Sequence, residues 1–227
     1  MSQAQTPPPG PIISIRGLVK QFGRFAALRG VSAEFLPHRI YAILGDNGAG
    51  KTTLLRSMAG LSRPTRGTIY VSGFGEPRNA CRQIGYMAHA SLLYDELSGI
   101  ENLLYFAQLY GISDVGRCIS SMRQVDLDPL LRRPTGQYSQ GMRQRLSLAR
   151  ALLHDPKILL LDEPFSNVDA RSTRQMVTLL ASLRDSSKTL FVVTHQAMLL
   201  EGVADEFTYL EAGQIRQRSS ALPHTNP

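Results

Sequence analysis

Eight consecutive residues, Gly45, Asp46, Asn47, Gly48, Ala49, Gly50, Lys51 and Thr52, fit the spacing GxxxxGK[ST] of a phosphate-binding loop. Glycines in such a run let the backbone curl until its N–H groups point inward, and a helix starting at its end adds partial positive charge. The run is a cradle for a polyphosphate anion. Lys51 is placed to reach β- and γ-phosphates, the Thr52 hydroxyl to ligate Mg²⁺, and Thr53 continues the run into the helix. Far along the chain, the aliphatic residues Ile158 to Leu161 lead directly into Asp162 and Glu163. Adjacent carboxylates at the C-terminal end of a buried strand stand where α/β proteins bind ligands. Asp162 is suited to holding the metal, and Glu163 to polarising a water for in-line attack on a γ-phosphate.

Strands and helices must bring these two stretches together. Short β-branched runs at Ile40 to Leu44, Thr68 to Val71, Ile158 to Leu161 and Leu190 to Thr194 predict strands. Helical periodicity appears at Thr52 to Ala59, Ile100 to Leu109, Gln140 to Leu153, Arg171 to Leu183 and Gln196 to Val203. The alternation predicts an α/β fold with parallel strands. Between Leu92 and Arg133 helical pattern replaces strand pattern, so a helical subdomain over about residues 90–140 is expected inside one domain, 12–215. Residues 1–11, with three consecutive prolines, read as a disordered lead-in, and 216–227 as a polar tail.

Composition narrows the classes. The apolar runs are strand-sized, well below the roughly 18 to 20 residues that cross a bilayer. No signal-peptide pattern opens the chain, which predicts a cytoplasmic protein. Cys81 and Cys118 have no metal spacing and read as free thiols. A net charge of +7 suits phosphate-rich ligands, anionic lipid or nucleic acid, and also an ordinary solvated basic surface.

Phosphate loops serve GTPases, kinases, helicases and transporters, so the loop identifies a nucleotide site and not a task. Tyr138, Ser139, Gln140, Gly141 and Met142, followed by Arg143, Gln144 and Arg145, resemble the signature of ABC ATPases, written LSGGQ. His195 resembles the family's switch histidine, Ser166 to Asp169 its D-loop, and Phe22 the aromatic that stacks on adenine, with Phe25 as the neighbouring alternative. The resemblance covers nearly the whole chain. It implies a P-loop NTPase core of ABC type with an inserted helical subdomain and an antiparallel β-subdomain, and ATP and Mg²⁺ as cofactors. It also implies that Ser139 and the Gly141 N–H clamp the γ-phosphate of a second subunit, so that a homodimer or pseudo-dimer is needed. The sequence departs from the family at Gln140 and Met142. Where the family's Q-loop glutamine is expected, the chain reads Met87, Ala88, His89, Ala90, so that either His89 supplies the polar group or Ala90 leaves none.

The run from Ala88 to Leu97, with Glu101, Asn102 and Leu103, resembles the ATP-binding subunits of haem exporters of cytochrome c maturation, and also drug, polysaccharide and lantibiotic exporters. That resemblance implies an integral membrane permease docking near Leu92 to Leu103 and a peripheral place on the cytoplasmic face of the inner membrane. The compact stretch between Lys51 and Ser139 lacks the long coiled coil of chromosome-organising relatives. A soluble ABC-type ATPase acting on ribosomes or nucleic acid is the alternative, although no nucleic acid is expected as partner. A GTPase is disfavoured by the missing Asn-Lys-x-Asp pattern.

Overall fold

The computed structural model describes residues 10–222. Residues 1–9 of the expected lead-in and 223–227 of the expected tail lie outside the described residues. The chain opens with β1 (Ile13–Phe22) and β2 (Phe25–Phe35), a hairpin to which β4 (Arg66–Val71) adds on the far side of β1. These form a three-stranded antiparallel sheet in the order β2-β1-β4. Between them in sequence come β3 (Ile40–Leu44) and α1 (Lys51–Met58). There follow β5 (Ile84–Met87), α2 (Gly99–Leu109), α3 (Val115–Gln124), α4 (Gln140–Leu152) and β6 (Ile158–Asp162). The chain then forms α5 (Ala170–Asp185), β7 (Thr189–Val193), β8 (Glu206–Glu211) and β9 (Gln214–Ser219).

The second sheet has the order β5-β6-β7-β3-β8-β9, parallel except for the antiparallel β9. Every residue of β3, β6 and β7 is buried, as expected of parallel strands covered on both faces. The faces of β3 divide the core. Ile40, Ala42 and Leu44 pack with α4 and the helical insert, while Tyr41 and Ile43 pack with the antiparallel sheet and α1. On that second side Tyr41 and Phe191 stack and Phe35 meets both edge-to-face, at ring distances of 4.9 to 5.1 Å, joining the two sheets. Such aromatic pairs add about 0.5–1.5 kcal/mol each beyond their burial.

The helices begin where their caps dictate. Ser98 and Glu101 form a reciprocal capping box at α2, and Ser139 and Asp169 accept first-turn N–H groups at α4 and α5. The helical insert, α2 and α3, falls within the expected 90–140 interval.

Two expectations change. Gln196 to Val203 does not form an α-helix; only a 3₁₀ turn, Ala197–Leu200, is present, and Gly202 adopts φ 72° just beyond it. The apolar repeat there is too short to support more than a turn. The expected tail also begins too early, because Arg216 to Ser219 belong to β9, where Arg218 Nε pairs with Glu206 at 2.5 Å. An edge strand with solvent on one side can be as polar as this one and still pair through its backbone.

Candidate active site

Four neighbouring strands release their C-terminal ends side by side. β3 ends at the phosphate loop, β6 at Asp162 and Glu163, β7 just before Thr194 and His195, and β5 just before His89. The register fixes their level: Asp162 lies beside Val193, and Val193 beside Ile43. A cavity of about 340 Å³ opens there, lined by Phe25, Ala27, the loop from Asn47 to Thr53, His89, Asp162, Glu163 and Val193. Larger cavities exist, including an apolar groove of about 610 Å³ between α1, β5 and α2, but this smaller one gathers the chemistry.

The loop's curl requires glycine at two points. A Cβ on Gly45, at φ 141°, would lie 2.0 Å from the Leu210 carbonyl oxygen, and one on Gly50, at φ 103°, 2.5 Å from the Ala27 carbonyl oxygen. The loop is thus pressed against β2 and β8, and its closeness to backbone leaves no room for a side chain. Lys51 is 8% exposed and lies back across the loop, donating from Nζ to the carbonyls of Gly45 at 2.6 Å and Asp46 at 3.0 Å. The Thr52 hydroxyl donates to Asp162 Oδ1 at 3.2 Å. Asp162 Oδ2 is buried without a partner. Burial pushes the Asp162 carboxyl above the usual carboxylate range, with the Thr52 hydrogen bond opposing and the neighbouring Glu163 adding to the rise.

Glu163 sits at φ 55°, in the left-handed region, with its N–H donated to the Val193 carbonyl at 2.9 Å. A non-glycine residue there stores about 1–3 kcal/mol, and such strain gathers at functional sites. Its Oε2 lies 3.0 Å from His195 Nδ1, at ion-pair distance but without hydrogen-bond alignment. The structure therefore brings Asn47 to Thr53, His89, Asp162 and Glu163 onto one cavity, with His195 beside Glu163 and Gly45 and Asp46 at the loop's root. Phe25, rather than Phe22, is the ring that lines the cavity. Phe22 pairs with Phe25 across the hairpin, and Lys20 Nζ lies 4.9 Å from its ring centre. Ser139 and Gly141 are not among the lining residues.

Residues 28–166, more than half of the chain, match the family model described as ABC transporter. The chain belongs to the ABC transporter family. Members of this family are ATP-hydrolysing transport ATPases. The ABC transporter ATP-binding protein NatA of Bacillus subtilis is 33% identical over 86% of this chain and 82% of its own length. The lantibiotic transport ATP-binding protein SrtF of Streptococcus pyogenes is 30% identical over 90% of this chain and 89% of its own. A sulfate/thiosulfate import ATP-binding protein of Mesostigma viride is 38% identical over 90% of this chain, which spans 61% of that relative's length. The fold matches the dimeric post-hydrolysis structure of the ATP-binding cassette MJ0796 bound to ADP and Pi, with TM-score 0.83, 23% identity, and coverage of 93% of this chain and 99% of that one.

The stretch that resembles the ABC signature lies at the start of α4. Ser139 is exposed, and its Oγ accepts the Met142 N–H at 3.3 Å, which leaves the hydroxyl hydrogen free to donate. Gln140 and Gly141 occupy the first turn, where N–H groups have no acceptor within the helix. This helix start lies on the same chain as the phosphate loop and outside its cavity, with Ser139 exposed and Gly141 buried beside Val168 and Ser172. Asp169, in the stretch that resembles the D-loop, caps α5, and the Ser172 N–H holds its carboxyl below the usual range. The hairpin β1–β2 was not legible in the sequence, and with it went the choice between Phe22 and Phe25 as the ring on the cavity.

Proposed function

We propose that this chain is the ATP-binding and ATP-hydrolysing subunit of an ABC transporter, working as a homodimer or pseudo-dimer that closes on ATP. The observation that carries this reading is the meeting of the phosphate loop, Asp162 and Glu163 on one cavity, while Ser139 is exposed and neither it nor Gly141 lines that cavity. ATP lies with its phosphates along Gly45 to Thr53 and its base against Phe25. Lys51 Nζ, which now donates to loop carbonyls, turns to the β- and γ-phosphate oxygens. The unpartnered Asp162 Oδ2 and the adjacent Thr52 hydroxyl fit a divalent cation. Bound Mg²⁺ would supply charge to neutralise the phosphates.

Hydrolysis adds water to the γ-phosphorus as the bond to the bridging oxygen breaks, giving ADP and phosphate, and Glu163 takes the proton of the attacking water. His195, beside Glu163, steadies the carboxylate and the water. His89 contributes the polar group of the Q-loop from its place on the cavity wall. The partner copy's Ser139 and Gly141 N–H close on the γ-phosphate.

The groove of about 610 Å³ includes Leu92, Leu93, Tyr94 and Phe106, which supports a permease segment docking at Leu92 to Leu103. No helix among the described residues is long and apolar enough to cross a membrane, consistent with a peripheral subunit at the cytoplasmic face of the inner membrane. Haem export for cytochrome c maturation is the finer reading, supported by the resemblance of Ala88 to Leu103. Affinity purification from detergent-solubilised membranes tests the whole. A multispanning protein recovered with the chain and lost on Leu92→Asp supports it. Recovery of ribosomes or nucleic acid, released by salt, overturns it in favour of the soluble alternative.

A further inference from the structure

The helix that starts at the signature turns one face toward the segment that follows His89. Arg143, Ser147 and Arg150 recur along α4 at spacings of four and three residues, so they share that face. Arg143 Nη1 donates to Asp95 Oδ1 at 2.6 Å and to the Thr135 carbonyl at 3.0 Å, and its Nη2 donates to Ser91 Oγ at 2.9 Å. One turn on, Ser147 Oγ donates to the Ser91 carbonyl at 3.0 Å. Arg150 Nη1 donates to the Leu92 carbonyl at 2.7 Å. Arg150 is 7% exposed and lies 4.9 Å from the Phe106 ring centre. Moving Leu92 away would leave a buried guanidinium without its acceptor, which is strongly unfavourable.

Residues 88–95 form neither helix nor strand, and Leu92 sits at φ 50°. Their backbone is held by side chains instead. Beyond the α4 contacts, Asn102 Nδ2 and Thr135 Oγ1 donate to the Tyr94 carbonyl at 3.0 and 2.8 Å, and the Tyr94 N–H donates to Asn102 Oδ1 at 2.9 Å. A segment without a ladder of its own goes where these partners go. Its first residues include His89 of the ATP cavity, and its middle, Leu92 to Tyr94, is a wall of the apolar groove.

From these contacts we infer that Arg143, Ser147 and Arg150 are positioning residues that fasten the groove wall to α4 and hence to Ser139. Closure of the signature on a partner's ATP and a change in the groove are then one motion. The lever is the rigid helix between Ser139 and Arg150, about 17 Å at 1.5 Å per residue. The inference rests on the sandwich reading of the signature given above.

The chain contains no tryptophan, and Leu92 is 59% exposed, so Leu92→Trp places a single emitter on the groove wall. The full chain carrying Leu92→Trp and Glu163→Gln is titrated with MgATP while emission and light scattering are read together. Emission should change in step with dimer formation, with ATP and not with ADP. Adding Arg143→Gln and Ser147→Ala should abolish the emission change and weaken ATP-driven dimerisation about tenfold, with ATP binding to the monomer unchanged. Ser91→Ala with Asp95→Ala removes acceptors from the opposite side without touching α4, and should at least halve the response. This second pair decides the matter if the helix variant does not fold. An unaltered emission change in either pair, or a parent that dimerises with silent emission, overturns the inference. A parent that binds ATP yet remains monomeric overturns the sandwich reading itself, a result distinct from a silent reporter in a closed dimer.

Discussion

Glu163→Gln keeps the shape of the side chain while removing its charge and its basic lone pair. Loss of the general base should lower turnover by about 10²- to 10⁴-fold, equivalent to about 3–5 kcal/mol in the barrier. ATP then persists in the cavity, and the magnitude of dimer formation follows from the signature's geometry. Ser139 has a hydroxyl hydrogen to give, because its capping role uses only an oxygen lone pair, and Gly141 offers a first-turn N–H. A hydrogen bond to a charged group is worth about 1.5–3 kcal/mol, so two per nucleotide supply about 3–6 and two nucleotides about 6–12 kcal/mol. Ordering and association oppose this with about 4 kcal/mol or more. Taking the low end of that cost leaves about 2 kcal/mol or more, so a shift of about thirtyfold or more in the dimerisation constant is expected with MgATP. ADP, lacking the γ-phosphate, should produce none of it. Ser139→Arg added to Glu163→Gln puts a long side chain in the path of the phosphate and should restore the monomer while ATP binding survives. Size-exclusion chromatography with light scattering distinguishes the three conditions. A Glu163→Gln protein saturated with ATP that stays monomeric at high concentration would refute the two-subunit clamp.

Lys51→Ala removes the cation nearest the triphosphate and should reduce both nucleotide affinity and kcat/KM, the latter about 100-fold or more; wild-type turnover would exclude the site. His89→Ala should lower permease-stimulated hydrolysis several-fold with ATP affinity retained, and His89→Gln should restore it; equal stimulated rates in all three proteins would mean that the Q-loop works without a polar group. Asp162 has a folded pKa above its unfolded value, so its ionised form destabilises the metal-free fold at neutral pH and that penalty is relieved as pH falls through the raised pKa. Asp162→Asn should accordingly raise Tm at pH 7 without Mg²⁺, narrow that advantage on acidification, and abolish Mg²⁺-dependent hydrolysis; a lower Tm at pH 7 would contradict the burial account. Gly45→Ala forces a methyl against the Leu210 carbonyl and should lose about 3 kcal/mol, or about 6 °C or more in Tm, whereas Gly48→Ala, with nothing within 4 Å, should lose about 1 kcal/mol.

The chemistry was legible wherever it was contiguous. Gly45 to Thr52 must be consecutive to curl around phosphate, and Asp162 and Glu163 must follow an apolar strand to reach its end, so linear spacing carried both, together with the buried strands on which they stand. Periodicity gave α4 its extent, and its start at Gln140 agrees with Ser139 as the N-cap. The antiparallel hairpin was hidden, since Gly17, Gly23 and Gly30 and three register shifts break the alternation of β1 and β2. The polar β9 was hidden because an edge strand needs backbone pairing more than apolar side chains. Which of Phe22 and Phe25 faces the cavity depends on the hairpin's twist, and neighbours across a turn look alike in sequence. Tertiary structure alone decided that His89 shares a cavity with Asp162, since β5 and β6 are distant in sequence and adjacent in the sheet. It alone also showed the arginines of α4 gripping Ser91, Leu92 and Asp95. Their spacing announces a helix face, but only the folded chain supplies the carbonyls on the other side.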